Sequence, residues 1–333
     1  MLRPFCNIKI GANEFDFVTG GDFSSSWKNL TDTGTITLPH RFKKEEKVIF
    51  IGENNFFKKG DQVNISAGYY PTLEPIFEGY VSKITPSIPV GITLEDAAFL
   101  LKQTNLTLSF EKVTLKELLS KSIEEAISKA TGYVKEGLAR INIEAIDAEL
   151  GAFRITNVNI TGILQELKKT YALTSYFRNH TLYVGLAYYA ENRARATFTF
   201  EDNIIDSGTQ LEYRKIDDVS FKVKAVSMLE NNKKLEIEVG DPDGETRTIT
   251  KYNLSEKDLR EAATREIDRL KFEGFRGKIY TFLQPVIRHG DEVEIIDPRT
   301  PEKNGVYLAE SVNYSIGVDG YFQEIFLGAK ISS

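Results

Sequence analysis

The feature that most constrains this chain is a six-residue pattern that occurs twice. Gly60-Asp61-Gln62-Val63-Asn64-Ile65 is matched by Gly290-Asp291-Glu292-Val293-Glu294-Ile295. Gly-Asp at the head of a strand makes a tight turn in which the Asp side chain accepts backbone N–H groups. Val and Ile at alternate positions then bury one face of that strand. Asp61 and Asp291 are therefore read as turn residues, not as catalytic carboxylates. Each copy is followed by an irregular loop and a glycine-led strand, GYVSKI from Gly79 and GVYLAESV from Gly305. A second correspondence sets SWKNLTDTGTITL (26–38) against LEYRKIDDVSFKV (211–223), with the same order of aromatic, basic, aliphatic, Asp and alternating positions. A repeated antiparallel unit of this size is most simply a small β-barrel, which removes exposed sheet edges.

Between the two copies the pattern changes. Thr114 with Glu117 three residues on makes a capping box. Leu115, Leu118, Leu119, Ile123, Ala126, Ile127 and Ala130 then share one helical face. A second helix over 161–171 turns Ile163, Leu164, Leu167 and Tyr171 inward, and Asn179–His180 is the turn of a hairpin. In the later β-region a helix over about 255–272 starts at the cap Ser255, and DPDG (241–244) joins KLEIEVG to TRTITKY as a hairpin with Gly244 at positive φ. The fold class expected is α+β and mostly β: two related small antiparallel β-barrels, an inserted α/β module, and a helix within the second barrel. The boundaries read as 1–105 for the first barrel, 106–190 for the module and 191–333 for the second.

Composition narrows function. The 333 residues carry 42 basic and 48 acidic side chains, a net charge of −6 that excludes a generally basic nucleic-acid binder. One cysteine, Cys6, excludes a disulfide framework and multi-cysteine metal sites. His40, His180 and His289 are too scattered for a metal-ligand spacing, so no metal and no cofactor is expected. No secretory leader and no bilayer-length apolar run is read, so synthesis and folding in a cytosol without a signal peptide are expected. GxSxG, HExxH, GxxxxGK[ST] and GxGxxG are all missing from the sequence. RHGD (288–291) offers His-x-Asp without a nucleophile at a motif position, so no enzyme is expected.

The runs FSSSWKNLTDTGTITLP (23–39), FKKGDQVNISAGY, FEGYVSKITPSIPVGITLEDAAFLLKQ, LKKTYALTSYFRNHTLYVG and LKFEGFRGKIYTFLQPVIRHGDEVEIID, with the ending GYFQEIFLGAKI, resemble bacteriophage baseplate hub proteins of the late-control-D type. These are related to the hub half of type VI secretion spike proteins. The resemblance spans nearly the whole chain in order, on structural and not catalytic motifs. It implies two barrels per subunit and a homotrimer that closes six barrels around a lumen. Such a ring joins the hexameric tail tube protein to a trimeric spike and touches other baseplate proteins, while DNA passes through without specific binding. The implied location is the virion tail baseplate of a phage, prophage or phage-like injection particle. The sequence ends at Ser333 without a needle-like repeat or lysozyme-type region, so a separate spike protein is expected. Three copies at −6 each carry −18, which either keeps phosphates from sticking in the lumen or serves solubility alone.

Candidate partner-interface residues are Trp27 and Asp32 in one turn and Phe56 and Phe57 in the loop GENNFFKKG. Trp27, the only tryptophan, suits a core or an interface equally. The Phe56–Phe57 pair either folds back under its loop or anchors another chain. Competing functional classes are a receptor- or glycan-binding tail protein, whose aromatics stack on sugars, and a peptidoglycan hydrolase with an unrecognised carboxylate pair.

Overall fold

The computed structural model describes residues 3–44, 47–51, 56–171, 173–185, 193–215, 220–229, 233–271 and 273–332. The first β-region holds β1 (Pro4–Ile10), β2 (Asn13–Phe15), β3 (Gly20–Ser26), β4 (Thr33–Leu38), β5 (Arg41–Lys44), β6 (Lys47–Phe50), β7 (Gln62–Tyr69), β8 (Glu74–Thr85) and β9 (Val90–Glu95). A short helix α1 (Ala98–Leu101) leads into the module: β10 (Asn105–Thr114), α2 (Leu115–Lys129), α3 (Gly132–Leu138), β11 (Asn142–Ala145), β12 (Glu149–Asn159), α4 (Ile160–Tyr171), β13 (Thr174–Arg178) and β14 (Thr181–Gly185). The second β-region follows with β15 (Arg195–Thr199), β16 (Gln210–Arg214), β17 (Phe221–Met228), β18 (Lys234–Gly240), β19 (Glu245–Tyr252), α5 (Glu256–Leu270), β20 (Gly274–Phe282), β21 (Glu292–Ile296), β22 (Gly305–Gly317) and β23 (Gly320–Ser332).

The helix signals land where local chemistry puts them. Thr114 accepts from the Glu117 amide at the start of α2, and Ser255 accepts from the Asp258 amide at the start of α5. Leu115, Leu118, Leu119, Ile123 and Ala126 of α2, and Ile163, Leu164, Leu167 and Tyr171 of α4, are buried in one module core. The Asn179–His180 turn joins β13 and β14, with Asn179 at φ 53°.

The two β-regions repeat one another strand for strand. The first runs in the order β1-β7-β8-β9-β4-β3, and the second in the order β15-β21-β22-β23-β20-β16. Register agrees as well. Phe23 faces Gly34, Gly34 faces Leu94, and Leu94 faces Val81. Leu211 faces Gly277, Gly277 faces Leu327, and Leu327 faces Ala309. Two residues on, Ile36–Ile92–Ile84 has the counterpart Ile279–Ile325–Val312. The outer strands differ in direction: β1 is antiparallel to β7, and β15 is parallel to β21.

Four sequence expectations change. Both repeats belong to one thirteen-stranded sheet joined by β3 against β22, and among the described residues no ladder closes either repeat into a barrel. The counterpart of TGTITL is RGKIYT at 276–281, not DVSFKV. The strand at 221–228 belongs to a separate three-stranded sheet, β18-β17-β19, inserted with α5 between β16 and β20. Gly305 is not the partner of Gly79 either. Val63 faces Gly79 and Val293 faces Tyr307, so the glycines are offset by two positions. Finally, DPDG reverses the chain but makes no hairpin. β17 lies between β18 and β19, antiparallel to one and parallel to the other. The Asp241 amide bonds to the Phe221 carbonyl across that strand end, and the positive φ falls on Gly240. Turn chemistry sets the reversal; packing sets which strands become neighbours.

One apolar core runs beneath both repeats, from Ile8, Ile36 and Val63 to Ile279, Val293 and Val312. The α2–α4 module has its own core, which takes in Tyr80 from the first repeat and Val226 and Met228 from β17.

Candidate functional site: the joint between the two repeats

The site begins with the duplicated turn. Gly60 and Gly290 sit at φ 90° and 84°, a conformation that glycine adopts freely and other residues do not. The Gly60 amide bonds to the Val81 carbonyl at 2.8 Å and the Gly290 amide to the Ala309 carbonyl at 2.7 Å. The carbonyls of Asp61 and Asp291 accept from the amides of Val81 and Ala309 at 2.9 and 2.8 Å. Each Asp Oδ2 accepts the amide three residues back, Lys58 or Arg288, at 2.8 Å in both. The turn thus locks the incoming loop, strand head and next strand together, twice, by the same three hydrogen bonds.

The inserted module covers both turns. A Cβ placed on Gly60 would lie 2.3 Å from the Tyr133 ring, so Tyr133 of α3 sits directly over that glycine. Over Gly290 stands Arg178 from the end of β13. Its guanidinium donates to the His289 carbonyl and lies 3.4 Å from Asp291 Oδ1, with both side chains largely out of solvent.

Beside the second turn runs the seam of β3 on β22, from Gly20 opposite Gly317 to Ser26 opposite Ser311. Ser25 on that seam lies 2.6 Å from Asp32 Oδ2 and 2.7 Å from His289 Nδ1. Asp32 Oδ1 accepts the Ser26 amide, and the Asp32 amide donates to Asp96 Oδ2. Asp96 Oδ1 accepts the Ala98 amide at the start of α1. Burial pushes Asp32 up to about 7, against the opposing Ser25 and Ser26 hydrogen bonds. Burial, and then the charge of Asp32, raises Asp96 well above the usual carboxylate range. Burial, with the Arg178 and Arg288 charges, lowers His289 to about 3, so it is neutral. A cavity of about 180 Å³ adjoins this cluster, lined in part by Asp32, Asn64, Arg178 and Arg288. A hydrolase triad places the histidine between serine and carboxylate. Here the serine lies between the other two.

The four sequence-predicted interface residues divide into two sets. Asp32 belongs to the joint just described. Trp27 is half-buried in the same turn, with Lys28 Nζ 5.6 Å from its ring centre. Phe57 is buried and Phe56 partly buried, in a group of phenylalanine rings with Phe15, Phe17 and Phe42. These rings seat the β5–β6 hairpin on the sheet, while its Val48 and Phe50 stay exposed. Residues 52–55 of that loop, and the 190 boundary, lie outside the described residues. Among the described residues no group of three or more His, Cys, Asp or Glu side chains could hold a metal, and no helix is long and apolar enough to cross a membrane. Sequence reasoning missed Ser25, Asp96, Arg178 and His289 as a group. Gly-x-Ile, shared by 34–36 and 277–279, was the available signal for the true repeat.

No family model matches the sequence, and no curated protein matches it. Solved structures do match the fold. A tail protein from Neisseria meningitidis MC58 is similar at TM-score 0.62 with 16% identity, over 98% of this chain and 96% of that one. The 43 kDa tail protein of prophage MuSo2 from Shewanella oneidensis is similar at 0.59 with 14% identity, over 97% of each chain. This chain has the fold of phage tail proteins. The same fold extends to the Escherichia coli c3393 protein, at TM-score 0.54 and 10% identity, over 98% of this chain and 76% of that one. That protein is a component of the type VI secretion system with structural similarity to the T4 tail proteins gp27 and gp5.

Proposed function

We propose that this chain is a non-enzymatic structural subunit of a phage or phage-like baseplate hub. Three copies form a ring that joins a hexameric tail tube to a separate trimeric spike and surrounds the DNA channel. The observation that carries this reading is the joint between the repeats. Within one chain, the edge strand β3 of the first repeat adds to β22 of the second. The corresponding edge strand of the second repeat is β16, which pairs only with β20 among the described residues. The corresponding acceptor is β8 beyond Tyr80, which pairs with β9 but, among the described residues, with no strand on its β7 side from Lys83 to Thr85. Free strand edges attract further strands. A second copy's β16 laid on this β8 would repeat the internal joint between chains, and edges left open within one chain would be satisfied around the ring.

The duplication also sorts the surfaces by count. In a three-copy ring, elements present in both repeats recur six times and suit a six-fold tube. The β5–β6 hairpin, the module and the β17–β19 layer with α5 occur once per chain, recur three times, and suit a three-fold spike. The regions 1–105, 106–190 and 191–333 are the proposed working units.

Thr85→Cys and Glu212→Cys in one chain test the contact, because the internal ladder puts these positions opposite each other across copies. Mild oxidation of the concentrated protein, alone and with a co-expressed spike protein, should give a covalent ladder ending at three copies. Monomer throughout, with native mass equal to one chain in both conditions, refutes the ring. Blank glycan arrays and uncleared peptidoglycan zymograms are the expected outcomes for the competing classes.

A further inference from the structure

The Ser25 hydroxyl has a single proton and sits within hydrogen-bond reach of two groups, Asp32 Oδ2 at 2.6 Å and His289 Nδ1 at 2.7 Å. One of these bonds must be donated by Ser25 and the other accepted by it. His289 is neutral and buried, with 3% of its surface exposed, so it carries one ring proton. Two arrangements satisfy both hydrogen bonds of Ser25. In the first, Asp32 is a carboxylic acid that donates to Ser25, Ser25 donates to Nδ1, and the ring proton is on Nε2. In the second, Asp32 is ionised and accepts from Ser25, Ser25 accepts from Nδ1–H, and Nε2 is a bare lone pair.

The surroundings separate the two in energy. Nε2 is buried without a hydrogen-bond partner. The Tyr176 ring stands at 87° to the imidazole with centroids 5.1 Å apart. An N–H against an aromatic ring is tolerated, while a buried lone pair without a donor costs its full desolvation. The other groups facing the cluster carry charges of both signs. Asp96 holds a second carboxyl against the Asp32 amide from the end of β9. Arg178 of β13 and Arg288 of the turn oppose an imidazolium. Lys102 acts on Asp96, while Asp291 pairs with Arg178, and Tyr314 of β22 lies near both Asp32 and Asp291.

We infer that Asp32, Ser25 and His289 form a proton relay latching the first repeat to the second, in which the proton on Asp32 and the tautomer of His289 change together. Moving from the first arrangement to the second shifts a proton from Asp32 to Ser25 and one from Ser25 to Nδ1. One proton leaves Nε2 for solvent, and no imidazolium forms. The latch is complete when Asp32 is protonated, so the joint is tightest on the acid side of neutrality and loosens as the pH rises. The assignment does not depend on ring formation.

The test is two-bond 1H–15N spectroscopy of the full chain labelled at histidine, titrated from about pH 5 to about pH 9. His289 should carry its proton on Nε2 at the acid end and on Nδ1 at the basic end, with a midpoint near that of Asp32. Asp32→Asn, whose amide can donate to Ser25, should hold the Nε2–H form throughout. Ser25→Ala should break the correlation. The Ser26 amide, corrected for intrinsic rates, should lose protection by about tenfold per pH unit as the pH rises toward neutrality. An unchanging His289 tautomer in the parent protein, or the same tautomer change in Ser25→Ala, overturns the relay. Those two proteins decide the matter even where Asp32→Asn fails to fold.

Discussion

The turn at Gly60–Asp61 and the turn at Gly290–Asp291 share a backbone and differ in what lies on top of it. The first is covered by an aromatic ring, Tyr133, and its Asp side chain is only partly buried. The second is covered by a guanidinium, Arg178, and its Asp is 5% exposed and ion-paired. A duplicated turn therefore keeps its hydrogen bonds, while the inserted module decides whether the carboxylate works in water or out of it. The same hydrogen bond is worth more where nothing else can replace it.

Removing that carboxylate should separate the turns most. Asp291→Ala leaves the Arg178 charge buried without its partner and the Arg288 amide without its acceptor, which costs about 3 kcal/mol. Asp61→Ala should cost about 1 kcal/mol, because water reaches the amide it frees. Urea denaturation of both variants measures the gap, and equal losses would erase the distinction.

The glycines should reverse the order. Gly60→Ala combines a positive φ with the Tyr133 ring and should cost about 3 kcal/mol, whereas Gly290→Ala meets only the movable Arg178 end at 3.2 Å and should cost about 1–2 kcal/mol. Adding Tyr133→Ala to Gly60→Ala should recover part of that loss in a double-mutant cycle.

A pH series isolates the group found beside the second turn alone. The folded value of Asp32 lies above its unfolded value near 3.8. The folded state therefore binds the extra proton, and the stabilisation is complete at low pH and lost as the pH rises toward about 7. Asp32→Asn should flatten that fall in thermal melts between about pH 4 and about pH 7.

The smallest effect tests the equivalence of the repeats. Ile36 and Ile279 are fully buried at matching register positions, so Ile→Val at either should cost about 1 kcal/mol, with the two losses agreeing. A clear inequality would mean that the shared register conceals different packing.

How much of this was legible in the sequence depends on the range of the interaction. Gly60, Gly290, Thr114, Ser255 and Asn179 act within a few residues, and each was readable in place. Strand repetition was readable at the turns, but its alignment went wrong where β17–β19 and α5 interrupt the second repeat. DVSFKV alternates as cleanly as TGTITL, and alternation does not say which sheet a strand joins. The Ser25–His289 contact spans 264 positions. Nothing local distinguishes Ser25 from Ser24 or Ser26. It matters only because β3 lies on β22, and that pairing comes from tertiary packing.

The two acceptor strands also differ in reach. On β22 the incoming strand finds seven positions, from Ser311 to Gly317, while on β8 the corresponding run is cut off by Pro86, which has no amide to offer. In a collar assembled by the proposed rule, strong and weak seams alternate. Under load it would part between chains before any single chain came apart, releasing three intact segments able to rejoin.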